Sequence, residues 1–231
     1  MKKFGLRLSV LCWFLFSCIQ VDAQKLPNVQ QTSLRAPANI KIDGKATEWG
    51  NKFQAFNRAT EVFYTIANDD DKLYLIIQAP NPDIINKIIL GGITFTVNGS
   101  GKKDDKKSVV ITFPTFYKNE RPKMNLKHKP ELTKDTIINK MRTDSFMRVI
   151  NIELADKSRM IEIEGAKSIA DSLISVYNEE GIKAIALFDN QINYTSKLAV
   201  PIKYFNLSTD TPVKFYYNIK LNGASANNAT I

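Results

Sequence analysis

The chain has 231 residues and 26.1 kDa, with 32 Lys plus Arg against 23 Asp plus Glu, a formal charge of +9. Hydrophobic residues at 44% and charged residues at 24% are those of a globular protein, which excludes wholesale disorder and collagen-like repeats. One His (His128) and two Cys (Cys12, Cys18) exclude a His-rich zinc site, any mechanism needing two histidines and a disulfide-rich scaffold.

Residues 1–23 read as a secretory signal peptide. Lys2, Lys3 and Arg7 precede a short apolar core, Leu8 to Phe16, and Val21 and Ala23 supply small residues before Gln24. The apolar run is about half the roughly 20 residues a membrane-spanning helix needs, so no transmembrane helix is expected. The chain is expected to be exported, to the periplasm or outside the cell. Leu15-Phe16-Ser17-Cys18 also resembles a lipobox, which would anchor a lipoprotein through Cys18. Cleavage after Ala23 removes three positive charges and one negative, leaving +7.

Residues 24–37 are polar and aperiodic and read as an exposed leader strand or linker. From 38 to 222 a β-sandwich domain is expected, with an insertion at about 115–180, and 223–231 is a polar tail. Ile40, Lys41 and Ile42 predict a strand running into a turn at Asp43-Gly44. A hairpin is expected from Val62–Ala67 and Leu73–Gln78 around Asp69, Asp70 and Asp71. Those three acids also offer oxygen ligands for calcium, but a solvated hairpin tip is the better reading, and no cofactor is assigned.

Ile93, Phe95 and Val97 alternate with Thr94, Thr96 and Asn98, and Val109, Ile111 and Phe113 with Val110 and Thr112, and each set should share one sheet face. Further strands are expected at 160–164, 182–188, 198–202 and 213–221, with Pro201 on an edge or at a strand end. Helical spacing is limited to 131–147 and one turn around Ala170. The fold class is therefore all-β, a two-sheet β-sandwich with one partly helical insertion.

Ile40 to Trp49 (IKIDGKATEW) resembles the opening of the family 9 carbohydrate-binding module-like sandwiches. Tyr64 to Asp70 with Leu73-Tyr74-Leu75, Gly91 to Phe95, and Leu198 to Ile202 continue the likeness over roughly 38–114 and 180–222. The resemblance implies an immunoglobulin-like sandwich, export and a place among proteins of polysaccharide breakdown. It marks Asp43, Gly44, Glu48 and Trp49 as its structural motif. The best-defined relatives clasp sugar between paired tryptophans. No Trp follows Trp49 here, so no ligand-binding residue carries over.

Phe116 and Tyr117, near Arg121, are the nearest substitute for a sugar platform, with Tyr194 and Tyr216 as further outward candidates. The plain alternative for Phe116 and Tyr117 is that they anchor the insertion, and for Trp49 that it plugs the core. Ten Lys or Arg and four acids between 98 and 134 give a surplus of +6, a solvated face or an attraction for acidic glycans. No nucleic-acid motif occurs, so nucleic acid is not an expected partner. Glu162 and Glu164 share a strand face at glycosidase-like separation, yet an exposed polar face explains them better. His128 lies among lysines without triad partners, and one His gives little support for haem. Binding of polysaccharide or envelope glycan is expected in preference to catalysis. The alternative is a cell-envelope structural or interaction protein that kept the sandwich and lost the sugar site. The sequence does not set the oligomeric state.

Overall fold

The computed structural model describes residues 25–50, 52–101, 107–117, 120–124, 126, 130–205, 207 and 214–223. The expected leader, His128 and most of the polar tail lie outside them, as do residues 102–106 of the basic loop.

Among the described residues ten strands form two antiparallel sheets. The first has the order β1 (Ala55–Asn57), β2 (Val62–Asn68), β3 (Lys72–Ala79), β9 (Tyr194–Pro201), β8 (Lys183–Phe188). The second has the order β10 (Tyr216–Leu221), β4 (Ile93–Asn98), β5 (Val109–Thr115), β6 (Met160–Glu164), β7 (Leu173–Ser175). The chain is thus an all-β, two-sheet sandwich. Side-chain alternation sets the register: Ile93, Phe95 and Val97 pair with Phe113, Ile111 and Val109, and all six are buried. They pack between the sheets with Leu75, Ile77 and Leu198. Pro201, which has no N–H for a ladder, is the last residue of β9.

The hairpin tip between β2 and β3 is built by its acids. Asp69 Oδ1 accepts from the backbone N–H of Asp71 and Lys72 at 2.9 and 2.7 Å, and Oδ2 accepts from the Tyr74 hydroxyl at 2.5 Å. Asp70 forms a two-pronged ion pair with Arg35 at 2.7 and 2.8 Å. Among the described residues no cluster of acids, His or Cys is arranged to hold a metal ion.

Among the described residues two α-helices interrupt the strands. Helix α1 (Pro82–Gly91) was not expected from the sequence. Asn81 caps it, accepting from the Asp83 N–H at 2.9 Å, and Pro82 stands in its first turn. Ile84, Ile85, Ile88 and Ile89 are buried by it, each worth about 1.5–3 kcal/mol of transfer free energy. Gly91 ends it against the C-terminal strand, where an added Cβ would lie 2.0 Å from the Gly223 carbonyl oxygen.

Helix α2 (Thr136–Lys157) is longer than the expected 131–147. Asp135 caps it, accepting from Ile137 and Ile138 N–H at 2.8 and 3.1 Å. It packs on β8 through Met147, Ile150 and Leu154. No helical turn forms around Ala170, because Leu173 and Ile174 enter β7 and pair with β6 instead. No helix among the described residues is long and apolar enough to cross a membrane.

Residues 25–37, expected as an exposed leader strand or linker, lie along β2, with an isolated bridge between Arg35 and Asn68. The Gln30 side chain supplies an acceptor to Ile66 N–H at 2.8 Å and a donor to Ile66 C=O at 2.7 Å. Asn68 exchanges backbone bonds with this segment, accepting from Ala36 N–H at 2.8 Å and donating to Leu34 C=O at 3.0 Å. It satisfies the β2 backbone where β1 stops, which an unpaired strand edge requires. Beyond it, residues 40–42 form no strand. They cross the outer face of the first sheet, where Ile40, Ile42, Trp49 and Leu34 cover Ala67, Tyr74, Ile76 and Ala199. A second, smaller apolar layer therefore lies outside the sandwich.

Candidate functional site

Under this outer layer lies a buried cation. Alternation along β9 turns Ser196 and Leu198 inward and Lys197 outward, toward the N-terminal cover. Lys197 is 0% exposed. Its Nζ donates to Lys41 C=O at 2.9 Å, Glu48 Oε2 at 2.8 Å and Asp43 Oδ1 at 3.2 Å. All three ammonium donors are engaged, as a buried charge requires.

The Asp43, Gly44, Glu48, Trp49 motif is the cradle for this lysine. Glu48 Oε1 also accepts from Lys41 N–H at 3.0 Å, and Asp43 Oδ1 from Lys45 N–H at 2.9 Å. Gly44 turns the chain with φ at 75°, where an added Cβ would meet Leu187 Cβ at 2.6 Å. Trp49 packs half-buried against the outer apolar layer. Burial alone would raise the Asp43 and Glu48 carboxyls. Hydrogen bonds outweigh it, from Lys45 N–H and Lys197 on Asp43 and chiefly from Lys197 on Glu48, and hold both below the ordinary carboxylate range. With every ammonium donor occupied, Lys197 has no N–H left for a ligand.

Besides a cleft of about 530 Å³ lined by Leu26, Gln31, Lys52, Phe53, Gln54 and Phe63, two clefts stand out among the described residues. The first, of about 370 Å³, lies at the side of the sandwich where edge strands β1 and β10 face each other. Tyr64, Phe215, Tyr216 and Tyr217 line it, with Asn57, Thr60 and Asn218. The Phe215 and Tyr217 ring centroids are 6.4 Å apart, and Tyr217 meets the Tyr64 ring edge-on at 6.4 Å. Their hydroxyls are 3.2 Å apart. Burial, then the Tyr64 hydroxyl, pushes the Tyr217 phenol well above its ordinary value, so it stays neutral. No described residue lining this cleft carries a charge.

The second cleft, about 690 Å³, lies between α2, the Gly44 turn and the β8–β9 turn. Its lining is charged and polar, with Lys45, Asp144, Arg148, Asp189 and Asn190. Much of it is occupied internally. Asn151 pairs with the Phe188 backbone at 2.7 and 2.9 Å, and Asp189 closes its own turn onto Gln191 and Asn193.

Four of the residues expected to hold sugar, Phe116, Tyr117, Arg121 and Tyr194, lie away from both clefts. Tyr194 is a correction: it is 0% exposed, packed edge-on against Phe188 at 5.5 Å, because its alternation in β9 turns it into the core. Phe116 and Arg121 are half-buried and Tyr117 is exposed in the loop after β5. None of the four lines either cleft. Of the outward candidates, Tyr216 alone reaches one. Glu162 and Glu164 are exposed on β6, apart from both clefts. The signal that could have found the aromatic cleft is the run Phe215-Tyr216-Tyr217 on a terminal edge strand, where adjacent rings must point to both faces. Comparison with family models, with curated proteins and with solved structures finds no match.

Proposed function

We propose that the protein is an exported, non-catalytic module that binds neutral carbohydrate in the cleft between β1 and β10. The carrying observation is its lining: three aromatic side chains of β10 and its approach, beside two amides and a hydroxyl, with no charge. A pyranose face stacks on such rings at low entropy cost, and its hydroxyls need amide-type partners rather than ions. Asn57 Oδ1 already accepts from the Ala59 and Thr60 N–H groups and the Thr60 hydroxyl, which fixes the side chain at the rim. The likeness of 40–49 and 198–202 to family 9 carbohydrate-binding module-like sandwiches supports the same reading. Export rests on the leader pattern at 1–23.

Affinity electrophoresis through gels containing soluble glucans, xylans or mannans tests it. Retardation that falls at least tenfold in Tyr216→Ala, with unfolding unchanged, is the expected result. No retardation on any neutral or acidic glycan sinks the proposal. A second reading, an envelope interaction protein, is favoured by one observation, the uncovered apolar face of α2.

A further inference from the structure

Helix α2 carries two apolar stripes. At 3.6 residues per turn each residue advances about 100°. Phe146, Met147, Ile150 and Leu154 fall within about 100° of arc and face the core. Ile137, Ile138, Met141, Val149 and Ile152 fall within about 120° on the opposite side. These five are 71%, 42%, 67%, 60% and 63% exposed. A helix needs one such stripe to dock on its own sheet, and the second has no partner among the described residues.

The second stripe is symmetric about Ser145. Ile138 and Ile152 stand seven residues to either side of it, and Met141 and Val149 four. A two-fold axis requires a surface that matches itself reversed. Two copies of α2 laid antiparallel with Ser145 on the axis would place Ile138 against the partner subunit's Ile152 and Met141 against the partner subunit's Val149. Charge follows the same symmetry. Asp144 and Arg148 lie on one flank of the stripe. In the antiparallel pair Arg148 comes within about 3 Å of axial rise of the partner subunit's Asp144. Arg148 is exposed and has no ion pair among the described residues, while Asp144 is held ionised by Lys140 and Asn190.

We propose that the outer stripe of α2 is an interface with a second copy of this chain, an antiparallel helix pair on a two-fold axis through Ser145. The β1–β10 cleft is at the far edge of the first sheet from β8 and α2, so the dimer leaves it open and stands independently of the glycan reading. One helix face from each copy lies at the low end of specific interfaces, about 1,200 Å² in total, so the dimer is weak, with a dissociation constant on the order of 10–100 μM.

Sedimentation equilibrium of the purified protein from about 5 to about 500 μM reads this association. The expected result is a monomer–dimer equilibrium that Met141→Glu weakens at least tenfold without changing thermal unfolding. Asp144→Arg and Arg148→Glu should each weaken it, and the double exchange should restore it to within about twofold, because the charges are swapped across the axis. A monomer at every concentration overturns the proposal. So does a dimer indifferent to Met141→Glu, or a double exchange that fails to restore. A monomer that instead co-sediments with phosphatidylglycerol vesicles overturns it too, and assigns the stripe to a lipid surface.

Discussion

The Lys197 cradle separates two ways of losing an ion pair. In Glu48→Gln the ammonium stays fully buried with one carboxylate fewer, and the expected loss is about 3 kcal/mol. In Lys197→Met the buried volume stays filled, and Asp43 and Glu48 can turn to water at the rim, so the loss should be smaller. Urea denaturation of the two variants measures the order, and the reverse order would show that the carboxylates are the more strongly desolvated side. Acid should reach the same cluster. Both carboxyls titrate lower in the folded chain than in the unfolded one. Their stabilisation is therefore complete above the ordinary values near about 4 and is lost as pH falls through the lower native ones. Urea midpoints should be flat from about pH 7 to about pH 5 and drop below about pH 4. In Glu48→Gln that drop should be shallower.

Among the elements, the strands were the most legible, because period-2 alternation is unbroken at 93–97 and 161–164 and interrupted only by Val110 at 109–113, and one face of each is buried. Helix α1 carried readable signals, the Asn81-Pro82 start and isoleucines at 84, 85, 88 and 89. The isoleucines are also what a buried strand contains, which hid it. Helix α2 was visible only in part for the reason that gives it a free face: stripes on opposite sides cancel as a period. Its start depends on Asp135, whose carboxylate takes two amide protons that no helical carbonyl can reach. Asp135→Ala should cost about 1 kcal/mol, read as a lowered urea midpoint. The site was the least legible level. Lysine in a strand reads as solvent-facing, and nothing local announces that Lys197 is buried by Glu48, 149 residues away. Tyr194 failed for the converse reason, since a tyrosine between turn residues and a strand has no local mark of which face it takes.

At the scale of the molecule, the sandwich is asymmetric in how its edges and faces are finished. The β8 side is covered by α2, the β1–β10 side is left as an aromatic cleft, and the outer face of the first sheet is roofed by residues 25–50. That roof has a kinetic consequence. Its anchor at Lys197 exists only once β9 lies beside β3, so the roof cannot close before the first sheet has assembled. Contacts joined over such a span come late, after the closure entropy of the intervening chain has been met. The cradle should be absent from the folding transition state. Glu48→Gln should then speed unfolding by nearly its full equilibrium effect and leave the refolding rate unchanged in stopped-flow measurements. The ten residues of the Ile40–Trp49 motif would act as a latch on a finished sheet, setting how long the native state lasts rather than how quickly it is reached.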